Sequence, residues 1–383
     1  MLGLKNVNAY VEGKGFIKTD IAIDGGKISA IADKVVDLEL IKVDENAIVV
    51  PGFIDEHIHG AFGADAMDGS VKALSDIANA VASEGTTGFL ATTMTQSPEN
   101  IKNALSAVKE YIESNCENGA EVIGVHLEGP FISPKHVGAQ PLEYVATPSK
   151  ETMKKYVEYS GGNVKIVSLA PEVEGAEELI KYLRENGIVA SIAHTGAKYK
   201  DCENAIKWGM TNVTHTYNAQ SGLHHRDVGV VGSALLFDEL SCELICDLIH
   251  VSAPAIKLVV KNKKSDKVIL ITDAMRAKHL PDGESELGGQ LVIVKNGEAR
   301  LVDGTLAGSV LKMNNAVKNV VESVGLSLET AIEFATANPA KNLGIYDKVG
   351  SIKEGKRADF AILNKDTFEV LATIRNGKII YKK

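Results

Sequence analysis

Six residues able to bind a metal ion or move a proton lie in or at the ends of apolar, β-branched runs. His57 and His59 fall in Phe53-Ile-Asp-Glu-His-Ile-His59, and Glu128 ends Val122-Ile-Gly-Val-His-Leu-Glu128. His194 ends Ile188-Val-Ala-Ser-Ile-Ala-His194, His215 ends Asn212-Val-Thr-His215, and Asp273 ends Val268-Ile-Leu-Ile-Thr-Asp273. Residues i and i+2 of a strand point to the same side, so His57 and His59 aim two imidazoles at one point. A histidine at the end of an apolar strand must find partners for its ring nitrogens, and a carboxylate such as Glu128 placed there needs a cation. Any one of these histidines alone reads as a hydrogen-bonded packing residue; four of them with two acids do not. Such a set suits metal-assisted hydrolysis. Asp273 fits a ligand, a general base, or both in turn: an ion can lower the pKa of its water to about 7, and a nearby carboxylate then accepts and relays the proton. The structural alternative for Asp273 is an N-cap of the following helix. His126, inside its run, reads as structural, and His136 and His279 read as loop residues.

Distant residues converge only if the elements that carry them end on one face. Three further runs, near Phe89–Met94, Val164–Leu169 and Glu243–Ile249, bring the number of candidate strands to eight. Helical segments such as Lys72–Ser83 and Ala176–Glu185 separate them, and strand–helix alternation of this kind demands a parallel sheet. The expected fold is therefore α/β, a (β/α)8 TIM-like barrel, in which the C-terminal strand ends share one face. The chain ends differ. Lys18–Asp24, Gly25-Gly26 and Lys27–Ala32 read as a β-hairpin, and Ala358–Leu363, Val370–Ile374 and Lys378–Tyr381 repeat the style around Asn376-Gly377. Residues 1–50 with 346–383 are expected to form one small β-sandwich domain, with the barrel, residues 51–345, inserted between its halves. A second hairpin, Gln290–Lys295 and Glu298–Val302 about Asn296-Gly297, is expected beside the site mouth, before the segment Gly304–Ser309 starts a helix.

Bulk composition limits the function classes. The chain has 383 residues, 45% hydrophobic and 24% charged, an ordinary globular mix with ample material for a large core. A net charge of −9 argues against general nucleic-acid or anionic-membrane binding, though one local arginine still suffices for an anionic substrate. No apolar stretch reaches 18 residues, so no transmembrane helix is expected, and the N-terminus turns polar too early for a signal peptide. Cys116, Cys202, Cys242 and Cys246 lack metal-finger spacing and read as reduced thiols of a cytoplasmic protein, with Cys242 and Cys246 able to share a strand face.

The motifs together are recognisable. Pro51-Gly-Phe-Ile-Asp-Glu-His-Ile-His-Gly60 resembles the opening signature of the amidohydrolase superfamily. His126-Leu-Glu-Gly-Pro-Phe131, Ala193-His-Thr195, Thr214-His-Thr-Tyr-Asn-Ala219, Leu223-His-His-Arg226 and Thr272-Asp-Ala-Met275 are similar, in order, to the N-acetylglucosamine-6-phosphate deacetylase family within it. The resemblance spans about residues 51–345. It implies hydrolysis of a 2-acetamido group in amino-sugar catabolism or cell-wall recycling. Glu128, His194 and His215 would hold one divalent ion, and His57 and His59 would complete a second site with Glu128 bridging, where many amidohydrolases use a carboxylated lysine. Zn²⁺ or Fe²⁺ is expected, one or two per subunit, with Mn²⁺ and Co²⁺ also compatible.

The same resemblance assigns the substrate. The phosphorylated amino sugar would meet Arg226, whose planar fork suits oxyanions, and the backbone at Asn218 and Ala219. His225 and Arg226 would reach the neighbouring site of a homodimer. His250, ending the run that includes Asp247, would act in catalysis, contacting the acetamido carbonyl or the sugar and helping to polarise it, with Asp247 also at the substrate, and Leu306, Ala307 and Gly308 would line the sugar pocket beside Ala139. Gln140 stands where some relatives have histidine; it can hydrogen-bond a sugar but not carry a proton. His136 receives no role. Two other outcomes stay open: the same scaffold acting on an N-acyl amino acid or cyclic amide, with no need of Arg226, and a catalytically dead barrel, which would be expected to have lost ligands.

Overall fold

The computed structural model describes residues 2–35 and 39–383. Its centre is a ring of eight parallel strands: β1 (Phe53–Ile58), β2 (Thr86–Thr92), β3 (Glu121–Glu128), β4 (Val164–Leu169), β5 (Val189–Ile192), β6 (Asn212–Val213), β7 (Ser241–Ile245) and β8 (Val268–Ile271). They are paired in chain order from β1 to β8. The eight runs singled out in the sequence are these strands. Most residues of β1, β2 and β8 are buried, as expected where helices cover a parallel sheet and side chains fill its interior. The helix expected at Ala176–Glu185 forms there, and that at Lys72–Ser83 runs Val71–Ala82. Both bury an apolar stripe, Leu179, Ile180 and Leu183 in one and Leu74, Ile77, Ala78 and Val81 in the other.

The ring closes between β8 and β1 without a regular ladder. The Asp273 amide donates to the His57 carbonyl at 2.8 Å, and the His59 and Gly60 amides donate to the Ala274 carbonyl at 2.9 and 3.0 Å. One turn deeper, Asp55 fills the seam, accepting from the Thr272 hydroxyl at 2.6 Å and its amide at 3.2 Å. Gly60 is required here, since a Cβ would lie 2.3 Å from the Ala64 carbonyl oxygen. The seam therefore sets the relative position of His57, His59 and Asp273 through the backbone.

The two chain ends share a separate sheet. Its order runs Lys378–Lys382, Val370–Arg375, Phe360–Asn364, Ala47–Pro51, Leu2–Val11, Gly15–Asp24, Lys27–Ala32, with Glu39–Leu40 beside Leu2–Val11. The join is antiparallel, with Phe360 opposite Pro51. Leu4, Ile21, Val49, Phe360 and Ile374 form its own apolar cluster.

A three-stranded antiparallel sheet, Gly283–Leu287, Gln290–Lys295 and Glu298–Leu301, stands near the barrel mouth. Its last two strands are the hairpin read from Asn296-Gly297. The first was read as a polar loop because Gly-Glu-Ser-Glu-Leu buries only Leu287. The helix expected from Gly304–Ser309 starts instead at Met313. The intervening residues are tied down by backbone bonds instead: Ser309 bonds through its amide to the Asp273 carbonyl, and Ala307 to that of Ala299.

Candidate active site

Three strands stop short of the site residues they present. His194, His215 and Asp273 each lie two residues beyond the end of a strand and adopt left-handed backbone, with φ of 43°, 30° and 47°. Such conformations are strained for residues other than glycine and concentrate at functional sites. His57 lies within β1, His59 directly after it, and Glu128 is the last residue of β3. All six are buried.

Glu128 is the hub. Its Oε1 lies 3.1 Å from His194 Nε2 and 3.0 Å from His215 Nε2, while those two nitrogens are 3.2 Å apart. Its Oε2 lies 3.3 Å from His59 Nε2. Asp273 Oδ1 sits 3.2 Å from His59 Nε2 and 3.4 Å from His57 Nε2. Two ligand groups thus share one carboxylate: Glu128, His194 and His215, and His57, His59 and Glu128.

The donor chemistry fits divalent ions. The remaining ring nitrogens point away from the centre: His59 Nδ1 to the Thr92 carbonyl at 3.2 Å, His194 Nδ1 to the His136 carbonyl at 3.0 Å, and His57 Nδ1 to Glu243 Oε2 at 3.2 Å. Each acceptor takes the Nδ1 proton, so that the neutral ring has its lone pair on Nε2, the arrangement of metal-ligating histidines. His57 Nε2 is buried and without a hydrogen-bond partner. These groups are able to hold metal.

Electrostatics point the same way. Burial alone would raise the Asp273 carboxyl, but His57 and His59 bring it down to about 2. Burial also opposes ionisation of Glu128, yet His57, His194 and His215 hold it well below the usual carboxylate range. Burial resists charging His59, and Asp273 and Glu128 overcome it, lifting its pKa to about 10. The pocket therefore keeps two carboxylates ionised and favours positive charge between them. His126 behaves as a structural residue: burial and neighbouring His57 push it down to about 4, and its nitrogens are bound to the Glu56 carbonyl and the Ser168 hydroxyl.

Above the cluster opens a cavity of about 230 Å³. Of the residues expected to contact substrate, Ala139, Gln140, Asn218, Ala219, His250, Leu306 and Gly308 line it. Asp247 stands behind His250, its Oδ2 2.6 Å from His250 Nδ1, and fixes the ring. Ala307 is fully buried beneath the wall. His225 and Arg226 lie outside the cavity on an exposed loop, Arg226 Nη1 2.9 Å from His225 Nε2. His136 lines the cavity wall and leans over Gly196, where a Cβ would come within 2.6 Å of its Nε2.

Two contacts went unread in the sequence. Gln140 donates from Nε2 to Glu128 Oε2 at 2.8 Å, while its Oε1 accepts from the Thr95 amide at 2.7 Å. The amide is thus tied to the hub as well as facing the cavity. Glu243, in the middle of β7, backs His57. Its signal was present: an acid inside the buried run Ser-Cys-Glu-Leu-Ile must have a partner.

Comparison with known proteins places this geometry. Residues 48–380 match the amidohydrolase family model, and the chain belongs to the amidohydrolase family. Within it, the chain belongs with the N-acetylglucosamine-6-phosphate deacetylases: it is 43% identical to the enzyme of that name from Bacillus subtilis (strain 168), over 99% of this chain and 96% of the relative. It is 36% identical to an N-acetylgalactosamine-6-phosphate deacetylase of Escherichia coli O157:H7, over 83% of this chain and 84% of the relative. The crystal structure of N-acetylglucosamine-6-phosphate deacetylase from Thermotoga maritima superposes with a TM-score of 0.90 at 35% identity, covering all of both chains.

Proposed function

We propose that this protein hydrolyses N-acetyl-D-glucosamine 6-phosphate to D-glucosamine 6-phosphate and acetate. The observation that carries the reading is Glu128 shared between two histidine pairs, with Asp273 beside it at the floor of a cavity that His250 also lines. One or two divalent ions, Zn²⁺ or Fe²⁺ first and Mn²⁺ or Co²⁺ also compatible, would be held by Glu128, His194 and His215 and by His57, His59 and Glu128. When bound, such an ion supplies Lewis-acid activation of water and of the amide carbonyl.

The chain's own residues do the rest. Asp273, kept ionised, takes a proton from the attacking water as its oxygen bonds to the acetamido carbon. It returns that proton to the nitrogen as the C–N bond breaks, so acetate and a free amine leave. Asp247 locks His250 through Nδ1, and Nε2 meets the acetamido carbonyl or the sugar. Asn218, Ala219, Ala139, Gln140, Leu306 and Gly308 hold the sugar, with Ala307 supporting the wall. Arg226, with His225, binds the phosphate of the neighbouring subunit's substrate in a homodimer, which accounts for its place outside its own cavity. The small β-domain, residues 1–50 with 346–383, carries no catalytic group. No described helix is long and apolar enough to cross a membrane, and we assign the enzyme to the cytoplasm, in amino-sugar catabolism or cell-wall recycling.

The test is acetate release from N-acetylglucosamine 6-phosphate beside the unphosphorylated sugar, with metal content measured on the same sample. Strong preference for the phosphorylated sugar is expected; equal or absent turnover of both, with metal present, would refute the substrate. The relative that acts on the galactosamine epimer favours one second reading, so N-acetylgalactosamine 6-phosphate belongs in the same assay.

A further inference from the structure

We propose that Glu243 is the positioning residue that makes His57 a metal ligand, governing the ion between His57, His59 and Glu128 more strongly than the ion at Glu128, His194 and His215. This rests on the two-ion reading above. Glu243 is fully buried in β7. Its Oε2 lies 3.2 Å from His57 Nδ1 and also accepts the His215 amide at 3.3 Å. With Glu243 as the acceptor from Nδ1, the proton of the neutral ring sits there and the Nε2 lone pair faces the site. That Nε2 lies 3.4 Å from Asp273 Oδ1 and 3.7 Å from Glu128 Oε1, with no hydrogen-bond partner of its own.

His57 is distinct among the four ligand histidines. His59 and His194 are anchored by neutral carbonyls, and His215 Nδ1 has no hydrogen-bond partner. Only His57 is backed by a carboxylate, which orients the ring and raises its basicity toward metal. His57, His126 and Glu243 also converge closely enough to suggest a further ion. The ring nitrogens of His126 are already bound, at 2.9 Å to the Glu56 carbonyl and 2.7 Å to the Ser168 hydroxyl, so Glu243 serves His57 instead.

The test is stepwise Zn²⁺ titration of metal-free wild type, Glu243→Leu and Glu243→Gln against a chromophoric chelator. Wild type should take two ions. Glu243→Leu should weaken the second by about 10–100-fold and the first by distinctly less, since only the His215 backbone amide loses a bond there. Glu243→Gln, whose amide oxygen still accepts from Nδ1, should recover most of the loss. Equal weakening of both ions would make Glu243 a merely structural carboxylate and overturn the inference. Two ions bound to Glu243→Leu at wild-type strength would overturn it alone, whereas a wild type with a single ion would overturn the two-ion reading and this with it. If the leucine variant does not fold, nitrogen NMR of histidine-labelled, zinc-loaded wild type decides: His57 should carry its proton on Nδ1, and a proton on Nε2 would refute the assignment.

Discussion

Asp273 shows how much one residue's surroundings settle. Its carboxylate faces two imidazoles, and in the metal-free protein, where these are protonated, their charge outweighs its burial and brings its pKa down to about 2. A group so placed is ionised in the neutral range, the state from which a general base must start. Replacing it with asparagine keeps the size and removes the base. Asp273→Asn should lower kcat by about 10²–10⁴-fold, the usual scale for a lost acid–base group, while sugar-phosphate binding and metal at Glu128, His194 and His215 persist. Steady-state kinetics with metal analysis checks this, and near-normal kcat would dismiss the shuttle. The N-cap alternative for Asp273 fails on geometry: no helix begins after it, and its side chain turns to His57 and His59.

Between elements, the joints matter more than the strands. Glu12, just past the first strand of the terminal sheet, accepts from Tyr346, Ser351 and Lys353 at 3.1, 2.5 and 2.8 Å, tying the N-terminal strand to the approach of the C-terminal ones. Burial alone would raise its pKa, but these donors bring it from 4.5 to about 2. A carboxyl depressed in the folded state adds stability that is full above 4.5 and disappears as pH falls through about 2. Glu12→Gln should therefore cost about 1 kcal/mol at pH 7. Its deficit in melting temperature against wild type should narrow steadily below pH 4.5. A gap independent of pH would show that Glu12 contributes through packing rather than charge.

At the scale of the whole molecule, the position of Arg226 is informative. It sits on an exposed loop outside the cavity of its own chain, and in the proposed homodimer its phosphate-binding role falls to the neighbouring site. Arg226→Met should raise KM for the sugar phosphate strongly, with a smaller effect on kcat. Mixing that variant with Asp273→Asn tests the arrangement in trans. Random exchange makes half the dimers hybrid, each with one complete site, so activity should return to about a quarter of wild type. No recovery, with exchange verified by mass, would place Arg226 in cis or outside the site.

The sequence by itself determined the eight strands, because β-branched runs between helical segments leave few alternatives. It determined His57, His59, Glu128, His194, His215 and Asp273 as a cluster, because polar groups on apolar strand ends need partners. It also foretold the terminal hairpins through Gly25-Gly26 and Asn376-Gly377, where local turn chemistry suffices. Tertiary structure alone decided what depends on convergence across distant chain. The left-handed turns at His194, His215 and Asp273 arise where strands end early, and no local residue preference announces them. The strand Gly283–Leu287 has too little apolar pattern to declare itself and is secured by pairing with Gln290–Lys295. Gln140 on Glu128 and Glu243 on His57 bring together residues 12 and 186 positions apart. Spacing along a chain specifies which face a side chain takes, whereas closure of the barrel specifies which side chain it meets.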